Sequence, residues 1–355
     1  MTEEKLVGTK VDAGVVAEPF RQEIRNYITK KLGGVGPRFV GLLANTDPAA
    51  RKYAEWTGRA CIKDGIRYEV RECAAEELEA RLEELNADPE VHGVMIYYPV
   101  FGAFPSFYGG SMDDYLRDTV SIRKDVEGLS NTYRRNLYHN VSRYLDEAKT
   151  KKCILPCTPL AVVKIMEHVG VYDEALPVGE RLQGKTITII NRSEIVGRPL
   201  AAMLANDGGI IYSVDVDSIF VFKRGALRKT ELTPEEAVKQ SDVVVTGVPS
   251  KAYKLPASWL KEGAAVINVS TFKNVEEEDV LKVTPVLTLL CFPGLLPIDE
   301  SLICPLVLFR FLISYFREFL QGFSPTTWSR VTKEGMMDRK HTRSACHVPD
   351  TRSLV

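Results

Sequence analysis

Short apolar runs recur along the first 270 residues, separated by stretches whose apolar positions return every three or four residues. Residues 15–32 have the spacing of an amphipathic helix. RFVGLLA (38–44) reads as a buried strand and ends at NTDPAA, where Asp47-Pro48 marks a helix start that runs to about residue 64. A strand is expected near RYEVREC (67–73). AAEELEARLEELNAD (74–88) has apolar residues at helical spacing, and GVMIYYPV (93–100) is another buried strand. Strands alternating with helices predict a mostly parallel sheet with helices on both faces.

PCTPLAVVKIMEHVG (156–170) turns into a helix that carries the chain from a first domain to a second. KTITIIN (185–191), IIYSVD (210–215), DVVVTGV (242–248) and AAVINV (264–269) are four short strands, expected to be separated by helices. The fold class expected is α/β, with two doubly wound α/β domains. From about Val283 the texture changes. TPVLTLLCFPGLLPI and LICPLVLFRFLISYF are apolar almost throughout, but Arg310 interrupts the longer run, which is too short for a transmembrane helix. From about Ser324 the chain is polar, mildly basic and aperiodic, the composition of a disordered segment.

Composition narrows the class. Charged residues make up 26% of the chain and hydrophobic ones 45%, the mixture of a soluble globular protein. A net charge of -1 supplies no basic field, so neither nucleic acid nor a membrane is expected as a partner. The opening MTEEKLVGTKVDAG has neither a secretory nor a transit-peptide pattern, which makes the cytoplasm the expected location. The seven cysteines form no framework. Cys153 and Cys157 lack companions at zinc spacing, so reduced thiols and no metal site are expected.

The stretch IINRSEIVGRP (189–199) carries the first candidate chemistry. It starts as a strand and ends as a helix start, with Pro199 suited to the first turn and a single glycine, Gly197, inside the loop. Ligands of open α/β sheets bind past the carboxyl ends of strands, and the N–H groups of such a first turn favour a pyrophosphate. Arg192, Ser193 and Arg198 are natural phosphate partners, and Gly197 allows close backbone approach. The next strand ends at Asp215, where a carboxylate accepts both ribose hydroxyls of an adenosine and repels a 2′-phosphate. That choice selects NAD over NADP. The alternative is that Asp215 caps its own turn and the loop is only a tight connection.

Three motifs in order, KDVEGL (124–129), PCTP (156–159) and NRSEIVGRPLAAMLANDG (191–208), resemble the methylenetetrahydrofolate dehydrogenase/cyclohydrolase family. The resemblance runs from about residue 10 to about 282. YYPVFG (97–102), NLYHNV (136–141), Asn191 before Arg192 and YSVDV (212–216) place it nearer the monofunctional, NAD-dependent fungal branch. It implies a folate-binding catalytic domain over 1–157 and a Rossmann-like NAD-binding domain over 158–282, with the active-site cleft between them. It also implies NAD as cofactor, methylenetetrahydrofolate as substrate and a homodimer.

The family oxidises methylenetetrahydrofolate to its methenyl form by hydride transfer. The flanking nitrogens supply the electrons, so the step asks for alignment and exclusion of water rather than a strong base. By resemblance, Tyr53 stacks on the folate and Asp125 bonds the pterin's amino-pyrimidine edge. A core tyrosine and a turn-capping aspartate are the alternatives. Tyr97 stands where bifunctional members carry glutamine. Thr57, four residues after Tyr53 on the same helical face, stands where they carry the lysine that supports hydrolysis of the methenyl cation. Its replacement implies loss of the cyclohydrolase activity. The nucleotide residues implied are Asn191, Arg192, Ser193, Val196, Gly197, Arg198, Pro199 and Asp215. Gly247, Val248 and Pro249 belong to a loop over the nicotinamide side, or to a plain Gly-Pro turn. The resemblance stops at 283. TPVLTLLCFPGLLPIDESLICPLVLFRF replaces the family's Pro-Gly-Gly-Val-Gly-Pro-Met-Thr segment or its Pro-Met-x-Gly-Lys-Val-Thr counterpart. Residues 283–355 are therefore expected to be foreign to the family pattern, as translated intron would be. A genuine tail would make the chain a catalytically impaired nucleotide- or folate-binding relative.

Overall fold

Two sheets carry the fold, and the alternation of side chains along their strands explains how each is covered. The computed structural model describes residues 8–140, 153–270 and 272–289. A short strand β1 (Thr9–Val11) and helix α1 (Ala13–Lys31) lead into β2 (Arg38–Leu43), α2 (Pro48–Lys63), β3 (Arg67–Glu72), α3 (Leu78–Ala87) and β4 (Gly93–Ile96). Helices α4 (Met112–Thr119), α5 (Asn131–Tyr138) and α6 (Cys157–His168) follow. Next come β5 (Thr186–Ile190), α7 (Gly197–Asn206), β6 (Ile210–Val214), β7 (Ile219–Lys223), β8 (Ala226–Thr230) and α8 (Pro234–Lys239). The described chain closes with β9 (Val243–Thr246), β10 (Ala265–Asn268), α9 (Glu277–Val283) and β11 (Val286–Leu289).

The smaller sheet is parallel, in the order β3-β2-β4. Val40 and Leu42 of β2, with Val94 and Ile96 of β4, face Leu78, Leu82 and Leu85 of α3 and Leu116 of α4. Because strand side chains have a period of two, Gly41 and Tyr97 fall on the other face, against α2. The larger sheet runs β1-β11-β10-β9-β5-β6-β7-β8, parallel from β1 to β6 and antiparallel through β7 and β8. Ile187, Ile189, Val243, Val245 and Ile267 share a core with α6 and α7. Ile190, Val244, Val266 and Leu287 share one on the other side with Val238 of α8 and Val280 of α9. Both faces are covered, which is why these strands are apolar at nearly every position.

Helix α1 joins the two halves. Val16 and Ala17 enter the α6/α7 core. On its other side, Arg21 Nε lies 3.0 Å and Arg25 Nη1 2.8 Å from the carboxylate of Asp64, the buried C-cap of α2.

The second half departs from regular strand–helix alternation. Between β6 and β9 the chain makes the β7–β8 hairpin before the short α8. Arg224 and Gly225 both have positive φ, the two-residue turn whose twist suits a hairpin. Between β9 and β10 there is one 3₁₀ turn (Ala257–Trp259), in a stretch containing Pro249 and Pro256. Residues 286–289, within the stretch set apart as a tail, form β11 between β10 and β1. The rest of that stretch lies outside the described residues. Among the described residues no helix is long and apolar enough to cross a membrane.

Candidate active site

The start of α2 is fixed by local chemistry. Asp47 caps it by accepting the Ala49 N–H at 3.0 Å, and Pro48 occupies the first turn. Asn45 accepts the Asp47 N–H at 3.1 Å, while its amide donates to the carbonyls of Tyr97 at 2.7 Å and Pro99 at 2.9 Å. The first turn of α2 is thereby tied to the end of β4. Tyr53 and Tyr97 consequently meet edge to face, with ring centroids 5.4 Å apart and an interplanar angle of 87°. Tyr97 is buried and its hydroxyl bonds that of Tyr68 on β3. Thr57, one turn beyond Tyr53, is only 1% exposed. The Tyr98–Pro99 peptide is cis. The following loop is held by the buried Asp113 of α4, which accepts the N–H groups of Val100, Phe101 and Gly102 at 3.3, 2.9 and 3.1 Å.

The two carboxyls of KDVEG have different tasks. Asp125 accepts the N–H groups of Glu127 and Gly128 on one oxygen, at 3.0 and 2.8 Å, and that of Ser130 on the other at 2.9 Å. Burial pushes its pKa up against those donors. Three loop amides converge on this carboxylate and fix its orientation. Glu127 is the second carboxyl. Burial and then the neighbouring Asp125 charge raise its pKa to about 8, with Arg117 opposing. The resemblance marks Asp125 of this pentapeptide and leaves Glu127 unmarked, because burial of Glu127 is set only when the loop closes around it.

On the larger sheet, β5 has β6 on one side and β9 on the other, so strand order reverses there. Such a switch point is where open α/β sheets take ligands. Asn191 spans it, accepting the Ser193 N–H at 2.8 Å and donating to the Gly247 carbonyl at 2.7 Å. A Cβ at Gly197 would collide with the Asn191 carbonyl oxygen and lie 2.8 Å from its Oδ1. One at Gly247 would lie 2.9 Å from Val269 Cγ2. The closeness that Gly197 permits is therefore to Asn191.

Two expected phosphate partners are committed to the protein. Arg192 donates to the Ser213 carbonyl at 2.7 Å, to the Ser218 carbonyl at 2.6 Å and to the Ser218 hydroxyl at 2.8 Å, and lies over the Phe220 ring. It thus holds the β6–β7 connection. Ser193 caps α7: its hydroxyl accepts from Val196 at 3.2 Å and Gly197 at 3.5 Å, and its carbonyl accepts from Arg198 at 3.0 Å. Pro199 has no N–H, so the first-turn donors are turned inward rather than left open. Arg198 remains at the surface, paired with Glu194 at 2.5 Å. Asp215 ends β6 with its side chain 42% exposed and Arg192 Nε 4.0 Å away. Val248 is held at both backbone atoms by the buried Asn274, which accepts from its N–H at 2.9 Å and donates to its carbonyl at 3.0 Å. Pro249 beside it is exposed. An exposed carboxylate past β6, a surface arginine at the head of α7 and the Gly247–Pro249 turn past β9 suit a dinucleotide laid across the switch point.

Residues 11–127 match the catalytic domain of the tetrahydrofolate dehydrogenase/cyclohydrolase family, and residues 156–283 match that family's NAD(P)-binding domain. A Dictyostelium discoideum protein named methylenetetrahydrofolate dehydrogenase [NAD(+)] is 48% identical over 275 residues, covering 76% of this chain and 85% of its own length. The chain belongs to the tetrahydrofolate dehydrogenase/cyclohydrolase family. A Schizosaccharomyces pombe member of the same name is 48% identical over 274 residues, 75% of this chain and 82% of its own. The solved NAD-dependent 5,10-methylenetetrahydrofolate dehydrogenase of Saccharomyces cerevisiae superposes with a TM-score of 0.76 at 42% identity, covering 87% of this chain and 96% of that one. The family's two matched domains contain the Tyr53–Tyr97 site and the Asn191–Gly247 switch point respectively.

Proposed function

We propose that this chain oxidises 5,10-methylenetetrahydrofolate to the methenyl form with NAD and does not hydrolyse that product. The observation that carries the reading is the edge-to-face pair of Tyr53 and Tyr97 beside α2, with a threonine, Thr57, one turn beyond Tyr53 where a lysine would serve hydrolysis. Hydride loss from a carbon flanked by two nitrogens needs a fixed pose more than a base. Tyr53 and Tyr97 supply rigid walls for a flat ring system. Hydrolysis needs an activated water beside the cation, and the hydroxyl of Thr57 is neither charged nor basic enough to activate one. By family resemblance Asp125, its carboxylate oriented by three loop amides, takes the pterin's donor edge. The nicotinamide, when bound, takes up the hydride. Asp215 faces the adenosine ribose, Arg198 the pyrophosphate, and the Gly247–Pro249 turn the nicotinamide side, with the cleft between the two domains holding both ligands. A cytoplasmic homodimer is proposed on family grounds. The direct test adds methylenetetrahydrofolate and NAD to the purified protein and follows NADH absorbance. NADH is expected only when both are present, and a flat trace with folded protein refutes the proposal.

A further inference from the structure

Tyr68 lies outside the family motifs, yet the small sheet is built around it. Its partner in register on β2 is Phe39, whose ring centroid lies 5.1 Å away. The next position on that face is Gly41. A Cβ there would lie 2.8 Å from Tyr97 Cε2 and closer still to Tyr68 Oη. On α2, a Cβ at Gly58 would lie 3.2 Å from Cδ1 and Cε1 of Tyr68. The central strand and the covering helix are thus both reduced to glycine where this ring passes. Tyr68 from β3 and Tyr97, the residue after β4, bond hydroxyl to hydroxyl across the space so cleared.

We propose that Tyr68 is a positioning residue for the folate end of the reaction, fixing the Tyr53–Tyr97 pair through its hydroxyl bond to Tyr97. The inference rests on the proposed function in one respect, that Tyr53 and Tyr97 line the folate site. Tyr97 is gripped at two points. Asn45 holds its carbonyl at 2.7 Å, and Tyr68 holds the far end of its side chain. Loss of the second grip loosens the ring, and the edge it presents to Tyr53 tilts more readily. Hydride transfer depends steeply on the placement of the reacting carbon, so a small tilt lowers the rate of the chemical step. The nucleotide side hangs on other strands and is not reached by this contact.

The test compares wild type, Tyr68→Phe, Tyr97→Phe and the double variant in steady-state NADH formation, with thermal melts of each. Tyr68→Phe keeps the ring in its slot and removes one oxygen. It is expected to lower kcat for methylenetetrahydrofolate by about five- to tenfold, the scale of one lost hydrogen bond, with the KM for NAD unchanged. Because Tyr68 acts through Tyr97, the double variant is expected to be no slower than Tyr97→Phe. Wild-type kcat in Tyr68→Phe overturns the inference, as do multiplying losses in the double variant or a kcat loss that only tracks loss of folded protein. An active wild type with Tyr97→Phe unaffected overturns it alone. A wild type that forms no NADH fails the proposed function first.

Discussion

Asp215 and Glu127 show what single carboxyls decide. Asp215 is exposed at the end of β6, with Arg192 held 4.0 Å away by the β6–β7 connection. A carboxylate in that place accepts ribose hydroxyls and repels a 2′-phosphate. Asp215→Ser should raise the KM for NAD and narrow the preference over NADP; faster wild-type turnover with NADP than with NAD at equal concentration would remove Asp215 from this role. Glu127 makes a different prediction. Its pKa rises from 4.5 to about 8 in the fold, so between those values the folded protein keeps a proton that the unfolded chain has released. The stability it contributes is full below about pH 4.5 and is lost as pH rises through 8. Melting temperature should therefore decline from pH 5 to pH 8, and Glu127→Gln should flatten that decline. Identical slopes in both proteins would mean that Glu127 is not the titrating group. KDVEG offers Asp125 either a ligand contact or a turn cap, and the three backbone amides that orient its carboxylate become visible only in the fold. An arginine after a strand suits a phosphate, and only the fold shows that Arg192 also holds three acceptors of Ser213 and Ser218.

At the scale of elements, legibility followed apolar pattern. The strands β2, β5, β9 and β10 are buried on both faces and read as continuous apolar runs. The β7–β8 hairpin has no clear apolar pattern, because ALRKT is polar and exposed along almost its whole length and pairs, among the described residues, with β7 alone. The sequences MDDYLRDT of α4 and NTYRRNLY of α5 are too polar and short to show a clear helical period. The β5–α7 turn was recognisable in outline, but its glycine serves packing. Gly197→Ala would drive a methyl group into the Asn191 carbonyl and disturb the bond from Asn191 to Gly247. Overpacking of this kind costs about 1–3 kcal/mol. The variant should melt earlier and bind NAD more weakly, while the KM for methylenetetrahydrofolate changes little. Unaltered stability and NAD affinity would show that α7 moves aside without consequence.

Across the whole molecule, one layered plan serves two half-reactions. Helix α2 presents Tyr53 and Thr57 beside Tyr97 at the end of the small sheet, and the large sheet presents Asn191, Asp215 and Gly247 at its switch point. α1 ties the halves by entering the α6/α7 core and reaching Asp64 at the end of α2. The division of labour was legible from the order of three motifs; the membership of β1 and β11 in the large sheet was not, since their pairing joins residues 9–11 to residues 286–288 across nearly the entire described chain. The central claim is that this arrangement carries hydride transfer and omits hydrolysis, with Thr57 as the residue that separates the two. The most direct measurement follows one reaction of the full chain with methylenetetrahydrofolate and NAD, reading NADH and methenyltetrahydrofolate together against an enzyme-free control of methenyl decay. The account predicts that methenyltetrahydrofolate accumulates in step with NADH and decays to the formyl form only at the control rate. NADH formation accompanied by enzyme-dependent loss of the methenyl product would contradict it.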